Sequence, residues 1–324
     1  MGSGWEVVLT TAKKYPKEKK SKETNNTMEL HKFNTGAIIK TDPRNFKVKE
    51  VEEYLPQAPT IPPVYIPDLS KFPIFYQGKI GSCVGHAGAW LKMYLDYLDT
   101  KEIKETSPRF LYALAKKEDG IPKLDGNGVE IEGTNPVMAG KILQKYGVAT
   151  AKSYPNNVNM THAKYIDTTG ITPAIYEEAE EAKISAYAEI TDKSFNNLKK
   201  EIFRNGAILL CVNHGGEYYT LPNGKISWGL DLFPMKKLFP IVSGHETVAI
   251  GYDENNIYYV NSFGDDWGRR GIGWFASDYV ERIKESHLVV DLPNSVIIEL
   301  REKRKTIMYA IISKLQQLLA LLKK

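Results

Sequence analysis

Cysteine is scarce in this chain: Cys83 and Cys211 are the only two among 324 residues. Two thiols make no disulfide framework, which suits a reducing compartment, and without a CxxC pair a zinc site has no sequence support. No metal and no cofactor are therefore expected. No apolar run approaches the ~20 residues needed to span a bilayer. The N-terminal stretch Met1–Thr10 lacks the charged start and long apolar core of a secretory signal, so a cytoplasmic or virion-associated protein is expected. Charge of one sign is lacking as well. The net charge of +4 is too mild to make nucleic acid the default partner. What remains is ordinary globular composition, 42% hydrophobic and 25% charged. That is enough chain for one large domain with appendages or for two ordinary domains.

Residues 1–36 form a polar extension rich in lysine, including Lys13, Lys14, Lys17, Lys19, Lys20 and Lys22. It has little to bury and no interleaved aromatics, so it reads as a solvated tail rather than a nucleic-acid arm. Pro56, Pro59, Pro62, Pro63 and Pro67 then fix φ repeatedly and predict an extended segment lying over a domain surface. Helix-period apolar residues follow Cys83, and Ser107-Pro108 supplies a cap and first turn for the next helix. A glycine-rich loop spans Asp119 to Gly133, and a third helix is expected from Thr134 to Tyr146, stopped by Gly147. The second half reads as strands over 184–190, 207–212, 246–252 and 257–261, with a short helix over 195–205. Helices first and antiparallel strands second predict an α+β fold. From Arg301 the pattern changes again: Met308, Ile311, Ile312, Leu315, Leu318, Leu319 and Leu322 recur at three- and four-residue steps. That spacing predicts an amphipathic C-terminal helix over 299–324 that packs on its own domain or self-associates.

The stretch Gln77-Gly78-Lys79-Ile80-Gly81-Ser82-Cys83 delivers a thiol to a predicted helix N-terminus. The positive end of the helix dipole favours thiolate there, which is one way a nucleophile is built. A buried inert thiol is the other reading of this stretch alone. Cys211, inside the apolar run Ala207–Val212, reads as the inert kind. A thiolate nucleophile needs a base and a group that orients the base. Of six histidines, His245 stands apart, following Gly244 at the start of a predicted strand. His86 is too close to the cysteine to act independently, and His31, His162, His214 and His287 lie in polar, loop or edge contexts. Asn261 ends the next predicted strand, at the same end of the sheet, where its amide oxygen can accept from the imidazole. Phe263 and Trp267 follow closely and can shield that bond from water. Gln77 can offer its side-chain NH₂ to an oxyanion beside the Cys83 N–H.

This set resembles the papain-like cysteine peptidase family, of the microbial or viral type without secreted-type disulfides. Gln77 through Cys83 match the family's Gln-Gly-x-x-Gly-Ser-Cys segment, and Gly244-His245 its Gly-His before a strand. Asn261-Ser262-Phe263-Gly264, Trp267-Gly268 and Gly271 match its Asn-Ser-Trp-Gly block. Weaker echoes lie at Ser107–Phe110 and from Gly133 to Val148, so the resemblance covers roughly residues 37–298. It implies a helical left half and an antiparallel β right half with the active-site cleft between them. It further implies Cys83, His245, Asn261 and Gln77 as catalytic residues and a protein or peptide as substrate. His245 and Asn261 lie further from Cys83 than the ~130–150 residues of the family signature, which implies insertions around 156–180 and 214–240. Val84 and Phe263 stand where the family carries aromatic and tryptophan residues, and nothing in residues 1–70 reads as an inhibitory helical prosegment. Two other readings use the same features. One is a lysin-like hydrolase of peptidoglycan cross-peptides. The other is a non-catalytic virion protein that keeps a peptidase fold.

Overall fold

The computed structural model of the chain describes residues 36–39, 45–52, 55, 60–214, 225–226, 243–290 and scattered positions between 303 and 316. All of them belong to one compact unit, Lys32–Lys324. Chain order is β1 (Phe46–Lys47), α1 (Val48–Val51), α2 (Cys83–Thr100), α3 (Pro108–Glu118), α4 (Val137–Lys145), α5 (His162–Tyr165) and α6 (Pro173–Glu180). Then come β2 (Ala186–Glu189), α7 (Phe195–Asn205), β3 (Ile208–His214), β4 (Lys225–Ile226) and β5 (Ser243–Tyr252). The last are β6 (Asn256–Val260), β7 (Ile272–Ala276), a 3₁₀ turn over Ser277–Arg282 and β8 (Ile283–Val290). The strands form one sheet in the order β1-β2-β8-β3-β5-β6-β7-β4. Its inner pairs are antiparallel, and only β1–β2 and β4–β7 at the two edges run parallel. Helices first and a mostly antiparallel sheet second is the expected α+β arrangement.

Strand β3 shows how the sheet divides the interior. Leu209 and Cys211 face one apolar cluster, shared with α2, α3 and α4. Ile208, Leu210 and Val212 face a second, shared with α1 and α7. Alternation of side chains along a strand produces that partition directly. Between the sheet and the other helices lies α2, with every residue from Cys83 to Tyr94 buried. Trp90, Leu91, Met93 and Tyr94 anchor it, and full burial of an apolar side chain of this size is worth about 1.5–3 kcal/mol. Its small residues let neighbours approach: a Cβ on Gly85 would stand 2.5 Å from Cβ of Tyr112 on α3.

The caps follow the sequence in part. Ser107 Oγ accepts from Phe110 N at 3.1 Å, with Pro108 in the first turn, as expected. Helix α4 differs. It starts at Val137 rather than Thr134, because the Thr134 backbone is spent elsewhere: its N–H donates to Gly36 O and its carbonyl accepts from Ile38 N. Asn135 Oδ1 then accepts from Val137 N and opens the helix three residues late. Of the two expected insertions, 156–180 folds into α5 and α6, and most of 214–240 lies outside the described residues. In the tail, Tyr309, Ile311 and Leu315 are helical and exposed. The other seam positions lie outside the described residues. No helix among the described residues is long and apolar enough to cross a membrane.

Gly85→Val is expected to overpack the α2–α3 contact and to destabilise the fold by about 1–3 kcal/mol. Urea unfolding would show a lower midpoint, and an unchanged midpoint would mean that α3 yields freely at Tyr112.

Candidate active site

Cys83 is the first residue of α2, and His245 and Glu246 lie near the start of β5. The sulfur accepts backbone N–H groups from Glu246, Gly36 and Val84, the Gly36 bond being 3.4 Å. So the end of a helix from the first half touches the strand of the second half at the residue after His245. His245 Nε2 stands 2.8 Å from Asn261 Oδ1, just beyond the end of β6. The same Oδ1 accepts the N–H of Ser262 at 2.8 Å, and the Asn261 backbone N–H donates to Gly271 O at 2.8 Å, so the residue is held by its main chain and its amide oxygen. Phe263 lies over the imidazole with ring centroids 4.9 Å apart, and Trp267 meets Phe263 edge-on at 5.8 Å. His245 is fully buried and Asn261 nearly so, which strengthens their bond in a low dielectric.

Gln77 is joined to this group from the other side. Its backbone N–H donates to Ser262 O at 2.9 Å, and its Oε1 accepts from the Ser262 hydroxyl. Its Nε2 donates to Ile80 O at 3.0 Å. Phe75–Gln77 runs antiparallel to Ser262–Gly264, with Tyr76 and Phe263 bridged. The structure therefore brings Gln77, Cys83, His245 and Asn261 to one junction.

The remaining histidines do not join it. His86, buried in the first turn of α2, is satisfied by Ser82 O at 3.0 Å and the Asn156 amide at 3.2 Å, and burial pushes its ring down to about 4. His162 meets Tyr112 and Glu130, and His287 is buried beside Glu285. His31 and the side chain of His214 lie outside the described residues. Cys211 is fully buried, as its apolar strand requires.

Two features of the site were not legible in the sequence. The first is the cover. Gly36–Ile39 crosses the junction in extended form, with Ala37 bridged to Thr134 on one side and to Gly244 on the other. Ala37 N donates to Gly244 O at 3.1 Å, Thr134 N to Gly36 O at 2.7 Å and Ile38 N to Thr134 O at 2.8 Å. Cys83 is 0% exposed beneath it. The helix terminus does not win there: burial pushes the thiol up to about 12, against the pull of its three N–H donors. The thiolate expected from the helix dipole is thus a thiol in this covered state. The second feature is Glu246, fully buried on the α2 side of β5, in register with Cys211, which pairs in turn with Glu285 on β8. Apart from the Cys211 thiol, neither oxygen of Glu246 meets a donor among the described residues. Burial, then the nearby Glu285, raises its carboxyl well above the ordinary 4.5. A charged residue at an inward position of an apolar strand was the one available sequence signal.

The family described as papain family cysteine protease matches residues 123–289, which include His245 and Asn261. No curated protein matches the chain. Solved structures of similar fold include xylellain, a cysteine protease from Xylella fastidiosa, at 20% identity and TM-score 0.64, covering 81% of this chain and 97% of that one. Procathepsin B S9 from Trypanosoma congolense follows at 16% identity and TM-score 0.59, covering 80% and 87%. Digestive procathepsin L 3 of Tenebrio molitor larval midgut has 14% identity and TM-score 0.57, covering 81% and 77%. At these identities the likeness is one of fold.

An acid whose folded value is raised favours the fold below its unfolded value, and this contribution fades as pH climbs toward the folded value. Glu246→Leu is therefore expected to raise the melting temperature more at pH 8 than at pH 5. Equal shifts at both pH values would show that the buried carboxyl carries no such cost.

Proposed function

Since the chain belongs to the papain family of cysteine proteases, we propose that Cys83 is its nucleophile, His245 the base and Asn261 the residue that orients His245. The observation that carries this reading is the pairing of His245 Nε2 with Asn261 Oδ1 at 2.8 Å, on the strand whose next N–H meets the Cys83 sulfur. With Nε2 committed to Asn261, Nδ1 is the nitrogen left to exchange a proton with the thiol. In the reaction, His245 takes the thiol proton and Cys83 Sγ attacks the scissile carbonyl, forming a C–S bond. The Cys83 N–H and the Gln77 amide stabilise the oxyanion. Collapse breaks the C–N bond, and His245 gives its proton to the leaving amine. Water, deprotonated by the same imidazole, then hydrolyses the thioester and returns the thiol.

Extended peptides fit as substrates, because the backbone groups of Thr134 and Gly244 already accept and donate along an extended segment, Gly36–Ile38. The same contacts make the covered chain a latent form. A buried thiol raised to about 12 holds almost no thiolate at neutral pH, so Gly36–Ile39 has to leave before turnover. The two free thiols suit a reducing compartment. Ile311 and Leu315, exposed one helical turn apart, support the tail as a contact for a second copy of the chain.

Cys83→Ala is expected to abolish hydrolysis of casein and labelling by iodoacetamide while leaving the unfolding transition in place. Residual hydrolysis would refute the nucleophile assignment, and cleavage of purified cell wall but not casein would move the substrate to peptidoglycan. Asn261→Ala should lower kcat/KM by roughly 10²-fold, the scale on which a misplaced catalytic group costs rate. Gly36→Val would drive a side chain into Gly81 O, which a Cβ on Gly36 already approaches to 1.9 Å. Faster alkylation of Cys83 at pH 7 is expected in that variant, and an unchanged rate would mean that Gly36–Ile39 is not what protects the sulfur.

A further inference from the structure

Outside the catalytic junction, one cluster of ligating side chains has no role in the chemistry above: Glu130, Glu132 and His162. We propose that these three residues form a divalent-cation site of the zinc type on the outer side of the cleft wall. The glycine-rich loop folds back on itself, with Leu124 bridged to Glu130 and Asp125 Oδ1 accepting the N–H groups of Asn127 and Val129 across the turn. Glu130 and Glu132 stand two residues apart on its returning arm, which puts both carboxylates on one face. His162 opens α5 opposite them, capped through Thr161. One donor atom from each of the three residues lies within 4.8 Å of the other two.

The histidine makes this more than a pair of acids. Its side chain is 4% exposed, and its Nε2 is fixed by the buried Tyr112 hydroxyl at 3.1 Å, which leaves Nδ1 facing the carboxylates. Fixing the outer nitrogen of a ligating imidazole in this way is the usual second layer of a metal site. Nδ1 stands 3.4 Å from Glu130 Oε2, beyond ordinary hydrogen-bond length. It matches the edge of a tetrahedron built from bonds of ~2.1 Å, about 3.4 Å. Lys116, the neighbouring buried cation, is turned toward Gly133 O at 2.9 Å and Asp119 at 3.1 Å rather than toward the two glutamates. Two carboxylates and one imidazole suit zinc and similar ions, with one position left for water. The missing CxxC pair speaks only against a thiolate site.

The location gives the ion a structural consequence. Glu132 Oε2 also accepts the N–H of Gly81 at 2.7 Å, two residues before Cys83. Gly133 N donates to the same Tyr112 hydroxyl at 2.9 Å, and Thr134 pairs with the covering segment. A bound cation would clamp the loop to α5 and stiffen the wall on which extended chains pair.

Titration calorimetry with Zn²⁺ tests this on the full-length Cys83→Ala protein, where the catalytic thiol cannot compete. One equivalent per chain is expected, with a higher melting temperature in the loaded protein. Glu130 is exposed, so Glu130→Gln removes a ligand without disturbing the fold and should weaken binding at least about tenfold. His162→Gln should do the same, with circular dichroism reporting whether α5 persists. Absence of saturable binding, or binding that survives Glu130→Gln unchanged, would overturn the site.

Discussion

The sulfur of Cys83 sits where the N-terminus of α2 meets the backbone of β5, and the other site contacts are arranged around that meeting. A helix can bring its first residue against a strand only if the residues behind it are small enough to let the layers close. Gly85 and Gly88 supply that room against α3 and α4, and the aromatic residues from Trp90 onward fill the space behind. Once the helix is seated, the site is completed by backbone pairing rather than by long side chains. Phe75–Gln77 pairs with Ser262–Gly264, and Asn261 is gripped by Gly271. The imidazole is thus positioned by the sheet and the sulfur by the helix, on two elements that cannot move independently without breaking the core.

Magnitudes decide the state of the thiol. A helix terminus favours an anion by about 0.3–1 kcal/mol at an ordinary site. A rise from 9.0 to about 12 corresponds to roughly 4 kcal/mol against ionisation. Desolvation wins by a wide margin while Gly36–Ile39 covers the sulfur, and the nearby Glu246 pushes in the same direction. The cover is held by three backbone hydrogen bonds, each of modest net worth in water. Such a contact can be broken at little cost.

Glu246, Cys211 and Glu285 form a row across three adjacent strands, on the face that α2 covers. Burying two carboxyls in such a row costs stability unless they stay protonated or find partners. One end of the row, Glu246, is the residue after His245 on β5, and its charged form would push the Cys83 thiol further up. The Glu130–His162 cluster is also polar, but it faces solvent at Glu130.

Periodicity and punctuation alone determined much of this protein. Helix α7 runs over Phe195–Asn205 as its amphipathic pattern and Gly206 require, α3 starts at the Ser107-Pro108 cap, and strands β5 and β6 follow their apolar runs. These are local effects, set by side-chain spacing and capping within a few residues. Short motifs likewise singled out Cys83, His245, Asn261 and Gln77, because glycine turns and strand starts are visible in one dimension. Only the tertiary structure decided what depends on distant chain segments meeting. Thr134 left its predicted helix because Gly36 and Ile38 claimed its backbone. Burial raised the Cys83 thiol against the pull of its helix terminus, and Glu130 and Glu132 met His162 only because a loop folded back onto α5. Burial and long-range pairing are properties of the assembled interior, and no window of sequence contains them.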